Sequence, residues 1–176
     1  MNLYVNYPKI NFKLDSYDSV RAIDITSSIR IKKFLKEYRG ISYFPYVIQN
    51  GERPDTVSYK IYKDSTLDWL ILLTNDMYNV YDDWPKDQET FNRYIIEKYG
   101  SISAASSEIK YYYDADGDII DLTTYNSLST SQRKLESAFD YEQRININKS
   151  KIKVVQPRHI GAIESQLNAQ LVQPIR

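Results

Sequence analysis

The sequence predicts an α+β fold: a strand-helix-helix module with an extended N-terminal arm and a C-terminal strand/helix extension. Three observations carry this reading. Apolar residues recur at helical spacing in several separate segments, and aromatic or β-branched runs bounded by turn residues lie between them. Hydrophobic residues form 42% of the 176-residue chain, yet 17 of them are tyrosines, so the dry core is slim and the outer surfaces are tyrosine-rich.

Residues 1–20 interleave apolar and polar types around Pro8 without a helical period, the pattern of an extended arm that orders on a partner surface. From Thr26 the pattern changes. Ile31, Phe34, Leu35 and Tyr38 fall at i, i+3, i+4 and i+7, Thr26 to Ser28 offer caps, and Gly40 closes the helix. Tyr43 to Ile48 is aromatic and β-branched and runs into Gln49-Asn50-Gly51-Glu52, a strand followed by a turn. Pro54 suits the first turn of a helix, where its missing N–H costs nothing, and Val57 and Ile61 then share a face. Asp64 or Ser65 caps a second helix on Leu67, Leu70, Ile71 and Thr74, with Trp69, Leu72 and Leu73 filling the other sides, so it is buried all round. Val57, Ile61, Trp69 and Leu70 are core candidates.

Asn75-Asp76 ends that helix, and Asp82-Asp83-Trp84-Pro85 reads as an irregular loop. Phe91, Tyr94, Ile95 and Tyr99 define the next helix, stopped by Gly100. Ile109 to Tyr113 and Ile119 to Leu122 read as a hairpin about Asp116-Gly117. A polar helix on Leu135 and Phe139 is expected over 129–141. A basic strand pair or one extended strand is expected over 145–155, and a last amphipathic helix on Ile160, Ile163, Leu167 and Leu171. The segments 1–40, 41–100 and 101–176 are the expected arm and first helix, central module with its following helix, and hairpin with C-terminal extension.

Composition removes several chemistries. With no cysteine there is no disulfide, thiolate nucleophile or cysteine metal site, and the single histidine, His159, cannot form a multi-histidine site. No Gly-x-Ser-x-Gly elbow accompanies it, and five glycines hold no phosphate-binding pattern, so neither serine hydrolysis nor nucleotide chemistry is supported. Asp114 to Asp118 resembles a calcium loop only superficially. Counting from Asp114, glycine falls fourth and Tyr125 twelfth, where an EF-hand needs glycine sixth and glutamate twelfth. Asp82 and Asp83 beside Tyr81 and Trp84 could form a carboxylate pair for glycoside cleavage, but adjacent acids in an acidic loop read as solvated. The sequon Asn148-Lys149-Ser150 matters only on a secretory route, and the longest apolar run, Trp69 to Leu73, is far too short to span a bilayer. The expectation is a soluble non-enzyme with no catalytic residue, cofactor or metal.

Charge is balanced overall, 23 basic against 23 acidic groups, which argues against general nucleic-acid binding. Its distribution is uneven. Residues 21–39 are basic, 64–90 acidic and 144–176 basic, giving patches of alternating sign that read either as solvated faces or as complements to several protein partners. Tyr43, Tyr46, Tyr59, Tyr62, Tyr78 and Tyr81 cluster around the central module, where some pack and the others offer large, low-entropy contact area.

The stretch Tyr46-Val47-Ile48-Gln49-Asn50-Gly51-Glu52-Arg53-Pro54-Asp55, then Tyr62, then Leu67-Asp68-Trp69-Leu70-Ile71-Leu72-Leu73-Thr74-Asn75-Asp76, then Tyr81 and Trp84, resembles the small baseplate wedge protein family of T-even-type contractile-tailed bacteriophages, whose N-terminal half contains a LysM-like strand-helix-helix module. The likeness continues through the hairpin at 109–122 and Ile152 to Val155. It implies a structural protein of the virion, present in several copies around the tail axis. Such a protein clamps neighbouring wedges and joins them to the hub and the sheath-initiator protein, with no nucleic acid and no membrane among its partners. It is made and assembled in the host cytoplasm.

The contact surface expected from this resemblance comprises Tyr4 and Tyr7 on the arm, Glu52, Arg53 and Pro54 in the first loop, Asn75 and Asp76 in the second, Tyr81 and Trp84 beyond it, and the basic Lys151, Lys153 and Arg158. The alternative is a LysM-type peptidoglycan-binding module, whose groove would lie between the loops at 51–53 and 75–77. The usual Gly-Asp-Thr there is replaced by Gly51-Glu52-Arg53-Pro54-Asp55, and Tyr78 to Asp82 stands where a second strand would follow.

Overall fold

The computed structural model describes the backbone of residues 9–12, 20–23, 27–37 and 40–172, and the side chains of 31–37 and 40–167. These residues form helices and small antiparallel sheets, an α+β fold. The chain divides into two compact units. Unit 1 takes residues 1–48, 52–83 and 152–176, and unit 2 takes 49–51 and 84–151.

In unit 1 the segment expected as an arm, 1–20, contains the strand β1 (Lys9–Phe12), which pairs antiparallel with β2 (Val20–Ile23) at and beyond that segment's end, from Lys9↔Ile23 to Phe12↔Val20. Next comes α1 (Ser27–Glu37), which buries Ile31, Phe34 and Leu35 as their spacing predicts, while Tyr38 lies outside the described residues. In β3 (Tyr43–Val47) Tyr43, Pro45 and Val47 face solvent and Phe44 and Tyr46 face inward, the two-residue period of a half-covered strand. Helix α2 (Pro54–Tyr62) opens with proline at its first position, where Arg53 N–H donates to Thr56 Oγ1 at 2.8 Å. Asp64 caps a single 3₁₀ turn, Ser65–Leu67, by accepting from Thr66 N–H, and leads into α3 (Asp68–Thr74). Trp69, Leu70, Ile71 and Leu72 are all buried there, each contributing roughly 1.5–3 kcal/mol of apolar burial. Val57 is buried and Ile61 half-buried.

The strand not visible after the second helix comes from far along the chain. In place of a strand, residues after Met77 form one helical turn, α4 (Val80–Asp83), held by the Asp83 carboxylate accepting from the Tyr78 and Asn79 N–H groups at 2.8 and 2.9 Å. The partner of β3 is β7 (Lys151–Val155), which buries Ile152, Val154 and Val155. Helix α9 (Ile160–Val172) follows, and its Ile163 and Leu167 join Ile31, Phe34, Leu35, Leu67, Trp69, Leu70 and Val155 in one core.

Unit 2 has its own core of Phe91 and Ile95 on α5 (Gln88–Tyr99) and Ala105 on α6 (Ile102–Ser107), backed by Tyr94, Tyr99 and Phe139. Asp87 and Ser101 cap these helices, and Gly100, at φ 84°, supplies the left-handed turn between them. The expected hairpin forms as β4 (Ile109–Asp114) and β5 (Ile119–Ile120), turning through Gly117 at φ 90°. A short helix, α7 (Leu122–Ser127), precedes a third strand, β6 (Arg133–Ser137), giving the sheet order β5-β4-β6.

Here the expected helix over 129–141 is corrected. Leu135 pairs with Tyr112 in the ladder, and the helix begins only after Ser137, whose Oγ accepts from Asp140 N–H. That helix, α8 (Ala138–Ser150), occupies the first part of the expected strand region, leaving a single strand at 151–155. It is fastened to α5 by the buried Glu142 carboxylate, which accepts from Lys98 Nζ at 2.7 Å, Tyr99 Oη at 2.9 Å and Tyr94 Oη at 3.1 Å. Burial pushes the Glu142 pKa up, but the bonds from Lys98 and Tyr99 outweigh it and hold the carboxyl below its usual range.

Candidate interaction surface

Of the expected contact residues, Tyr4 and Tyr7 lie outside the described residues. In the first loop the Glu52 carboxylate accepts from Tyr46 Oη at 2.8 and 2.9 Å and pairs with Lys60 Nζ at 3.0 Å, and the ammonium lies 5.6 Å from the Tyr46 ring centre. Burial first, then Glu52, raises the Tyr46 phenol, while the bond to Glu52 raises Lys60. The polar atoms of this loop are therefore engaged with their own module. Arg53 is exposed, with its Nε 3.2 Å from Asp55, and Pro54 serves the helix start.

The second loop is built differently. Asn75 ends α3 and turns its carboxamide onto β7: Nδ2 donates to Lys153 O at 2.8 Å and to Ile71 O at 2.8 Å, and Lys153 N–H donates to Oδ1 at 2.9 Å. A side chain thus copies a backbone ladder pair. Asp76 follows in the left-handed region at φ 58°, which aspartate tolerates better than most residues. Its carboxylate pairs with Lys32 Nζ at 2.5 Å and Lys36 Nζ at 3.7 Å, and the Lys32 bond holds its pKa below the usual carboxylate range. Lys32 also donates to Tyr78 Oη and lies 4.7 Å over the Tyr78 ring. Lys153 Nζ lies 5.4 Å over the Tyr43 ring.

Beyond that loop, Tyr81 is 89% exposed and Tyr78 62%, and Tyr59 on α2 is 60% exposed. Trp84 is only 7% exposed, so it supplies packing instead of open contact area. Lys151 is exposed, with Nζ 3.3 Å from Asn148 Oδ1. Arg158, also exposed, donates through Nη2 to Ser42 Oγ at 3.0 Å and through Nε to His159 Nε2 at 3.2 Å.

The expected contact residues Asn75, Asp76 and Lys153 lie beside Lys32, Lys36, Tyr43 and Tyr78, which the sequence placed only in the basic 21–39 run and the tyrosine cluster. The available signal was the i, i+4 spacing of Lys32 and Lys36 on an otherwise apolar-faced helix. Sequence reasoning also missed that Ser42 Oγ sits 2.7 Å from His159 Nε2. That distance suits a nucleophile and its base, yet Arg158 donates to the same nitrogen and the same hydroxyl, occupying the lone pair a general base must use. Among the described residues no group of three His, Cys, Asp or Glu side chains is arranged to hold a metal, and no helix is long and apolar enough to cross a membrane.

Comparison with known proteins assigns the family. Residues 8–152 match the family described as Base plate wedge protein 53. Baseplate wedge protein gp53 of Enterobacteria phage T4 is 30% identical over 87 residues, a match that covers 49% of this chain and 42% of that protein. The chain thus spans less than half the length of the curated relative it matches. The family match runs through both compact units, and by it this chain belongs to the base plate wedge protein 53 family.

Proposed function

We propose that this protein is a non-enzymatic structural component of a phage tail baseplate wedge, clamping neighbouring wedges and linking them to the hub and the sheath-initiation layer. It acts in several copies around the tail axis, assembled in the host cytoplasm. The observation that carries this reading, beside family membership, is the set of tyrosines left on the surface of unit 1, with Tyr59, Tyr78 and Tyr81 all largely exposed. A rigid aromatic ring with a hydroxyl at its tip gives large contact area at small entropic cost, and it suits partly wet contacts with several neighbours. The loop carboxylates Glu52 and Asp76 are neutralised by lysines of the same unit, so neither of these two is poised as a free acid or base.

The test is mass spectrometry of purified tail particles together with co-expression. The protein should appear in tails at a fixed multiple per particle and should join a multi-protein wedge when its neighbours are co-expressed. Its absence from tails would remove the proposal.

A further inference from the structure

Three elements distant in sequence converge on one carboxylate in unit 1. Lys32 and Lys36 come from α1, Asp76 from the turn after α3, and Lys153 from β7. Asp76 pairs directly with the first two and feels the field of the third. Two ammonium groups therefore share one carboxylate, and Lys153 is fastened beside it by the Asn75 bonds to its backbone. Among the described residues no other carboxylate lies within ion-pair distance of Lys32, Lys36 or Lys153. Lys32, with a 24% exposed side chain, is spent on Asp76, whereas Lys36 is 63% exposed and Lys153 is exposed as well. The excess positive charge thus resides on the two lysines that water reaches.

We propose that Lys32, Lys36 and Lys153, gathered around Asp76 and flanked by Tyr43 and Tyr78, form a docking site for a carboxylate-rich segment of a neighbouring baseplate protein. The proposal rests on the assembly role above. Charge complementarity names the occupant: Lys36, which shares Asp76 with Lys32 at 3.7 Å, and the exposed Lys153 leave net positive charge that matches carboxylates of a partner, and such pairing fixes register and speeds encounter. The flanks are already set. Lys32 lies over Tyr78 and Lys153 over Tyr43, so both rings are held against cations of the patch. A nucleic acid fits less well, because the protein's formal net charge is zero and a polyanion finds no general attraction to it.

The probe is a baseplate wedge preparation from cells infected with phage in which this gene is disrupted, to which purified full-length protein is added. Wild-type protein should dock, with affinity falling as salt rises. A Lys36→Gln/Lys153→Gln double variant should bind about tenfold or more weakly, with a shallower salt dependence. A Lys63→Gln/Lys134→Gln control, which removes the same charge elsewhere, should bind as wild type. Circular dichroism confirms that each variant is folded. Carbodiimide coupling of the docked wild type should join Lys36 or Lys153 to partner carboxylates.

The patch is refuted if the wild type docks and the double variant docks equally well, if the control weakens docking as much, if coupling occurs only at other lysines, or if nuclease abolishes docking. If the wild type itself does not dock, the assembly role falls first and takes the patch with it.

Discussion

The Asn75 carboxamide bonds both backbone groups of Lys153, a residue 78 positions further along the chain. With the third bond to Ile71 O, one side chain ties the end of α3 to the strand that completes the β3 sheet. Asn75→Ala removes both bonds to the Lys153 backbone, while Ile71 O keeps the Asn75 backbone N–H at 3.3 Å, and should cost about 1 kcal/mol, read as a lower urea midpoint. Asn75→Asp should be destabilised too, since its second oxygen would face the carbonyls of Ile71 and Lys153. Full stability of either variant would show that the junction holds without this pairing.

Glu142 gives unit 2 a pH dependence of known sign. Its folded-state pKa is lowered, so its contribution is complete above the ordinary glutamate range, near about 4.3, and is lost as pH falls through the depressed folded value. Glu142→Gln puts an amide donor against Lys98, Tyr94 or Tyr99 and should cost about 2 kcal/mol at pH 7, discounted because Lys98 is half exposed. Thermal melts at pH 7 and pH 3 should show the wild-type advantage over the variant narrowing at the lower pH. An advantage unchanged between the two would contradict the assignment.

Separate cores predict separable folding. Phe91, Ile95 and Ala105 pack with partners of unit 2, and the Ile31 to Leu167 core draws only on unit 1. Replacing residues 84–151 with a flexible Gly/Ser linker of roughly ten residues should leave a protein with helical circular dichroism and cooperative unfolding, because loop-closure entropy varies only slowly with length. A molten or aggregated product would indicate that the first core depends on the second.

Peptidoglycan offers the sharpest functional contrast. Glu52 is committed to Tyr46 and Lys60, and Asp76 to Lys32 and Lys36, so neither loop presents an uncompensated carboxylate to a glycan. Insoluble peptidoglycan should not retain the protein in a pull-down. Retention that disappears when residues 51–53 and 75–77 are changed would establish the glycan-binding reading instead.

Local signals were legible where structure is local. The apolar spacing of Ile31, Phe34 and Leu35, the proline at 54, the Asp64 cap and the Gly100 stop each announce an element within one or two turns of chain. Leu135 and Phe139 also lie four apart and mimic a helix, but Leu135 belongs to a strand because Tyr112 lies opposite it, a pairing no short window contains. The same non-locality hid β7 as the partner of β3. At the candidate surface, Asn75, Asp76 and Lys153 could be picked from loop position and charge. Lys32, Tyr43 and Tyr78 join them only through tertiary contact, and Trp84, aromatic and flanked by acids and proline, carried no sign of its burial.

The placement of β7 bears on how the chain is born. A ribosome must complete residues 84–151 before it can deliver the strand that pairs with β3, so the earlier-made module waits, with a sheet edge uncovered, while the later-made unit folds ahead of it. The unit begun first is thereby the last to receive all its parts. A released chain ending at Ser150 would lack β7 and α9, so its second unit should resist protease while its first is cut.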